Sequence, residues 1–156
     1  MRSEEFKAAV GKFPTGVTVV STSYEGKLWA FTANSFTSVS LEPSLISFCL
    51  DKAATSFKIF KESPYFAISI LSSDQADLSV HFASHLLNKF HSIKYKIGEY
   101  SNAPLINGAT SFIECKKYDQ FECGDHFIFV GEVKKIYIDE TKSPLLYFAK
   151  TYLELK

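Results

Sequence analysis

The chain has 156 residues, 46% hydrophobic and 15% aromatic, enough to build one domain over residues 1–156 that buries roughly two-thirds of its unfolded surface, which excludes disorder. Lys plus Arg (17) balances Asp plus Glu (17), and this zero net charge argues against nucleic acid or an anionic membrane surface as the main partner. No apolar run approaches the ~20 residues of a spanning helix, and MRSEEFKAAV lacks a signal peptide's apolar core, so a soluble, cytoplasmic protein is expected.

In chain order, a first helix is predicted from Ser3, a candidate cap followed by Glu4 and Glu5, to about Gly11, with Pro14 barring its continuation. GVTVVSTSY (16–24) and LWAFTA (28–33) read as strands around a Glu25-Gly26-Lys27 turn. TANSFTSVS (32–40) is longer than a tight turn and carries Ser, Thr or Asn at six of nine positions. Local Asx and hydroxyl turns account for one or two such residues, not six. SLISFCL (44–50) then reads as a buried strand, ATSFKIFKES (54–63) as a short helix ended by Pro64, and YFAISIL (65–71) as a strand.

SDQADLSVHFASHLL (73–87) suits a helix capped by Ser73, with Leu78, Phe82 and Leu86 on one face. Residues 88–107 are polar and irregular and read as a surface excursion. Two long strands (110–121 and 126–138) and a short one (144–149) follow. Strands predominate, and an all-β meander of this size hides its edges most simply by closing into a barrel with a few short helices.

Three cysteines, Cys49, Cys115 and Cys123, show no C-x-x-C spacing; buried free thiols are the favoured reading, with a Cys115–Cys123 disulfide left open. GKFPTGVT (11–18) lacks the lysine of a phosphate-binding P-loop and precedes a strand, and no G-x-G-x-x-G occurs. His81 and His85 stand at i and i+4, but the intervening FAS lacks the glutamate of a metalloprotease, so no metal is assigned. In CGDHFIF (123–129), a Gly-Asp turn with His126 merely opening a strand is favoured on the residues alone.

Taken together, FPTGVTVVST, TANSFTSVSLEPSLISFCL, FAISIL, HFA, GDHFIFVGEV and LLYF resemble the short-chain flavin reductases with an FMN-binding split barrel of Greek-key type. Within that family the sequence is most similar to the reductase components of two-component aromatic monooxygenases, such as that of 4-hydroxyphenylacetate 3-monooxygenase. The match runs from about Phe6 to Tyr152. The resemblance implies a mainly β split barrel, a homodimer with the flavin near the subunit interface, and NADH or NADPH oxidation. It also implies FMN as cofactor (FAD an alternative) and an oxygenase partner that receives reduced flavin.

By the same resemblance, Thr32, Ala33, Asn34 and Ser35 face the flavin ring and ribityl chain, and Ser38 and Val39 continue that wall. Lys52, Thr55 and Ser56 lie at the start of the ATSF helix, suited to a phosphate, and His81, Phe82 and Ala83 form a second phosphate-side segment. His126 falls near the nicotinamide, with Phe148 and Tyr152 as aromatic neighbours. Two departures, EPS at 42–44 and Ser84 after the FA pair, remove no hydrogen-bonding group. The resemblance implies no protein catalytic residue, because flavin and nicotinamide carry the chemistry. A non-enzymatic flavin carrier or sensor, and a ferric reductase, are the competing readings on this fold.

Overall fold

The computed structural model describes residues 2–156. Seven antiparallel strands form the main sheet, in the order β3 (Lys27–Ala33), β2 (Thr18–Tyr24), β6 (Tyr65–Ile70), β9 (Ser111–Cys123), β10 (His126–Ile138), β5 (Ser44–Asp51), β4 (Thr37–Leu41). A flat sheet would put β3 and β5 roughly 24 Å apart, five strand spacings. The rings of Phe31 on β3 and Phe48 on β5 instead lie 5.8 Å apart. The sheet therefore curls into a barrel, split between edge strands β3 and β4, which only residues 34–36 connect. The mainly β expectation holds, but the sequence of strands is not a meander: β6 sits between β2 and β9, and β5 follows β10.

Alternation on the strands fills the interior with Val20, Ile46, Phe48, Phe66, Ile68, Cys115, Phe127 and Phe129. Phe48 stacks on Phe129 at 5.2 Å and meets Phe66 edge-on at 5.0 Å. Gly131 makes this possible: a Cβ there would lie 2.3 Å from Phe66 Cζ. Helix α2 (Phe57–Glu62) plugs one end through Phe60.

Strand β2 is buried along both faces because its outer side is covered too. Helix α3 (Ala76–Ala83) supplies Phe82, and the chain after it supplies Leu105 and Ile106. The surface excursion expected at residues 88–107 is thus corrected. It contains the pair β7 (Tyr95–Ile97) and β8 (Pro104–Ile106), with Ala103, Leu105 and Ile106 fully buried. Ser21 Oγ donates to the Pro104 carbonyl at 2.6 Å, and Ser69 Oγ accepts the Ile106 amide at 3.1 Å, so buried hydroxyls replace a strand ladder.

A separate three-stranded sheet joins β1 (Thr15–Gly16), β11 (Leu146–Phe148) and β12 (Thr151–Leu153). Helix α1 (Ser3–Val10) begins at Arg2 without a side-chain cap, and no side chain of it is buried. Nor does Ser73 cap α3, which starts after Gln75. That helix also stops short of the expected Leu87: the Ser84 hydroxyl and amide both donate to the His81 carbonyl, which ends it. His85 lies outside the helix, so the i, i+4 histidine pair does not form. All three cysteines are free; Cys115 is buried, Cys49 half-buried and Cys123 exposed, against the expectation of buried thiols throughout.

Candidate functional site

The split sits at the TANSFTSVS stretch, which is not one long loop. Thr32 and Ala33 end β3, Thr37 to Ser40 belong to β4, and residues 34–36 cross between the barrel edges. Short polar side chains hold this crossing by replacing ladder bonds. Thr18 Oγ1 donates to the Ala33 carbonyl at 2.7 Å, and Ser35 Oγ accepts the Cys49 amide at 2.9 Å. Thr32 Oγ1 donates to the Ser79 carbonyl of α3 at 2.6 Å. Several of the hydroxyls therefore serve the backbone, and Asn34 is left exposed at the centre.

Three connected hollows meet at Asn34. One, of about 190 Å³, is lined by Val17, Thr32, Ser79, Ala83, Tyr147 and Tyr152. A second, of about 470 Å³, runs along residues 13–18 to Ser35, Phe36, Thr37 and Ile70. Neither has a charged lining residue. The third, of about 640 Å³, lies between α1 and the β11–β12 hairpin and adds Glu4, Lys7, Lys12 and Lys150, with Lys7 Nζ 3.7 Å from the Glu4 carboxylate. Thr15 borders the two larger hollows, and its hydroxyl is buried without a partner. An uncharged, partly apolar groove with an orphaned hydroxyl and a free amide side chain fits an isoalloxazine, and Lys12 and Lys150 of the large hollow fit anionic groups.

The expected site residues divide into two limbs. Thr32, Asn34, Ala83 and Tyr152 gather at the small hollow, with Ala33 buried behind them. Ser35 leads along β5 from Cys49 to Asp51, which pairs in register with His126. There the Lys52 amide donates to the Asp125 carbonyl at 2.9 Å, so Lys52 and His126 adjoin. Gly124 holds φ +63° in the two-residue turn that brings Asp125 and His126 to this rim. The His126 Nδ1–H donates to the Asp125 carboxylate at 2.7 Å, and that bond, aided by Lys52, keeps the Asp125 carboxyl below its usual range.

Other residues fall elsewhere. The Phe82 ring is fully buried against Phe90, 5.5 Å away, and faces the core, not the groove. His81 is engaged too: its Nε2–H donates to the Lys89 carbonyl at 2.6 Å. Lys52 Nζ pairs with Glu122 at 2.6 Å, Thr55 is exposed, and Ser56 is buried at the head of α2. Ser38 and Val39 are exposed on β4, and Phe148 lines none of the three hollows around Asn34. Sequence reasoning missed Thr15, Val17, Ser79 and Tyr147. Only Ser79 left a signal, lying one helical turn before Ala83 and so on its face.

A curled β-sheet opened at an uncharged, hydroxyl-lined crossing is a split barrel whose groove suits a planar, uncharged ring. The chain belongs to the family described as flavin reductase like domain, whose model matches residues 10–156. It is 41% identical over 133 residues to an NADH-dependent FAD reductase of Streptomyces globisporus, covering 83% of this chain and 72% of that one. It is 32% identical over 149 residues to the reductase subunit HsaB of a flavin-dependent monooxygenase of Mycobacterium tuberculosis, covering 94% and 79%. The solved NADH:FAD oxidoreductase SgcE6 of Streptomyces globisporus, in complex with NAD and FAD fragments, superposes with a TM-score of 0.95 at 37% identity, covering 98% and 92%.

Proposed function

We propose that this protein is an NAD(P)H:flavin oxidoreductase that supplies reduced flavin to a monooxygenase. The carrying observation is the uncharged groove at Asn34, with hydroxyls and an amide on one side and Val17, Ile70 and Tyr147 on the other. Bound flavin would supply the hydride-accepting ring. The chain's own part is to bind and orient. Thr15, Thr32 and Asn34 offer hydrogen bonds to the polar edge of the ring, and the apolar wall covers its other edge. His126, half-exposed at the rim and fixed in orientation by Asp125, is a positioning contact for nicotinamide. The relatives named as monooxygenase reductase subunits support transfer of the reduced flavin to an oxygenase.

The protein works as a single flavin reductase-like domain in a homodimer. Support for the dimer comes from α1, which buries none of its own side chains and leaves Phe6, Val10 and the following Phe13 exposed beside the large hollow. A cytoplasmic location accords with three free cysteines. The test of the site is flavin binding: FMN and FAD fluorescence should be quenched saturably by the native protein, and Asn34→Leu should weaken both. Unchanged binding by that variant would move the ring away from this groove.

A further inference from the structure

We infer that Ser79, which no sequence motif singles out, is a positioning residue that sets the width of the small hollow by holding both of its polar walls; this rests on the flavin-binding reading above. Ser79 sits in the middle of α3 and is 1% exposed. A serine inside a helix commonly turns its hydroxyl back to the carbonyl of the preceding turn. Here the hydroxyl instead meets the Tyr152 hydroxyl at 2.8 Å, across 73 residues of sequence. Its carbonyl accepts the Thr32 hydroxyl at 2.6 Å. One residue of α3 thus holds Thr32 on the barrel edge and Tyr152 on the β11–β12 hairpin.

Tyr152 needs such a tether. It belongs to β12, which pairs with β11 on one side and forms the outer edge of the small sheet. Ala149 and Lys150 form the two-residue turn between these strands, with φ of +47° and +66°. Neither is glycine, so the turn carries a conformational cost that contacts elsewhere must offset. Packing of Tyr147 on Tyr152, with ring centroids 5.3 Å apart, is one such contact. Among the described residues, the Tyr152–Ser79 bond is the single hydrogen bond made by a β12 side chain. Without it, the hairpin keeps its fold but the Tyr152 ring loses its fixed distance from Thr32. The consequence falls first on flavin affinity.

Ser79→Ala and Tyr152→Phe each delete one partner of this bond and keep the surrounding bulk. Four quantities are compared with the native protein: the FMN dissociation constant by fluorescence quenching, KM for FMN, kcat, and amide exchange over residues 146–153 without flavin. Each variant should raise the dissociation constant and KM roughly five- to tenfold, the loss expected for one hydrogen bond, and Ser79→Ala, which touches neither flavin nor nicotinamide through its hydroxyl, should change KM more than kcat. Hairpin amides should exchange faster. The double variant should bind no more weakly than the weaker single one, because the bond is lost only once. Additive losses, or FMN affinity unchanged in both variants, would overturn the role of Ser79. Should Ser79→Ala fail to fold, Tyr152→Phe alone decides, by the same readouts. Failure of the native protein to bind any flavin would instead bring down the flavin reading itself.

Discussion

The Ser35 hydroxyl accepts the backbone amide of Cys49 at 2.9 Å, and through that bond the barrel split is latched to the strand that leads to His126. Ser35→Ala leaves the Cys49 amide short of a partner. The expected cost is about 1 kcal/mol of stability, read from the urea midpoint, with flavin binding weakened a few fold. A variant as stable as the native protein would show that the latch contributes nothing.

His126→Ala separates the two limbs of the site. His126 is the cross-strand neighbour of Asp51 and Cys123 at an exposed rim, so its loss removes little packing. The expected outcome is a roughly ten- to thirtyfold loss in kcat/KM for NAD(P)H, with flavin affinity and Tm nearly unchanged. A large fall in Tm would restore the reading in which this histidine only begins a strand.

His81→Ala tests two roles for this side chain. From sequence, His81 was expected beside a flavin phosphate, which would make its loss fall on FMN more than on riboflavin. Its ring instead secures the Lys89 carbonyl, while Lys89 Nζ donates to the Phe82 and Ala30 carbonyls. The loss should therefore weaken FMN and riboflavin alike, by loosening residues 84–90. A selective effect on FMN would return His81 to the phosphate.

Half-buried Lys117 and buried Cys115 bear on stability in alkali, and Lys89, whose ammonium burial also lowers, acts in the same sense as Lys117. Lys117 lies 5.8 Å from the Phe129 ring, and burial pushes its ammonium down to about 8. The unfolded chain holds that proton up to about 10.5, so this group adds stability as pH rises between the two values. Burial pushes the Cys115 thiol up to about 12, so its contribution is complete below about 9 and is lost as pH rises past that. Stability should rise from about pH 8 to about pH 9 and then level or fall. Lys117→Met should reduce the rise, leaving the part contributed by Lys89, as urea midpoints across that range would register.

The proposed homodimer has a plain check. Native protein should sediment at twice the 17.5 kDa chain mass, and Phe13→Glu, changing a side chain 77% exposed, should shift it toward monomer. A native protein that is monomeric and active at micromolar concentration would contradict the interface.

Much of the barrel was legible because alternation and β-branched runs mark β2, β6 and β10 directly. The flavin groove was legible only through family motifs. TANSFTSVS looked like a loop because its hydroxyls are polar, yet Ser35 bonds the Cys49 backbone across the split, Thr32 bonds the Ser79 carbonyl of α3, and residues 37–40 belong to a strand. Residues 88–107 looked exposed because their buried part is a short apolar run whose neighbours, Ser21 and Ser69, lie far away in sequence. Phe82 lay within a functional motif, but helical spacing points its ring into the core. Ser79 and Tyr152 meet only in three dimensions, and no local pattern announces a pairing across that separation.

The account turns on hydride transfer from a pyridine nucleotide to a flavin held at Asn34. The most direct measurement follows NADH and NADPH absorbance at 340 nm with the native protein and added FMN, FAD or riboflavin. The account predicts steady consumption of at least one nucleotide that depends on both protein and flavin, slowed at limiting flavin by Asn34→Leu. No consumption with any flavin would contradict it.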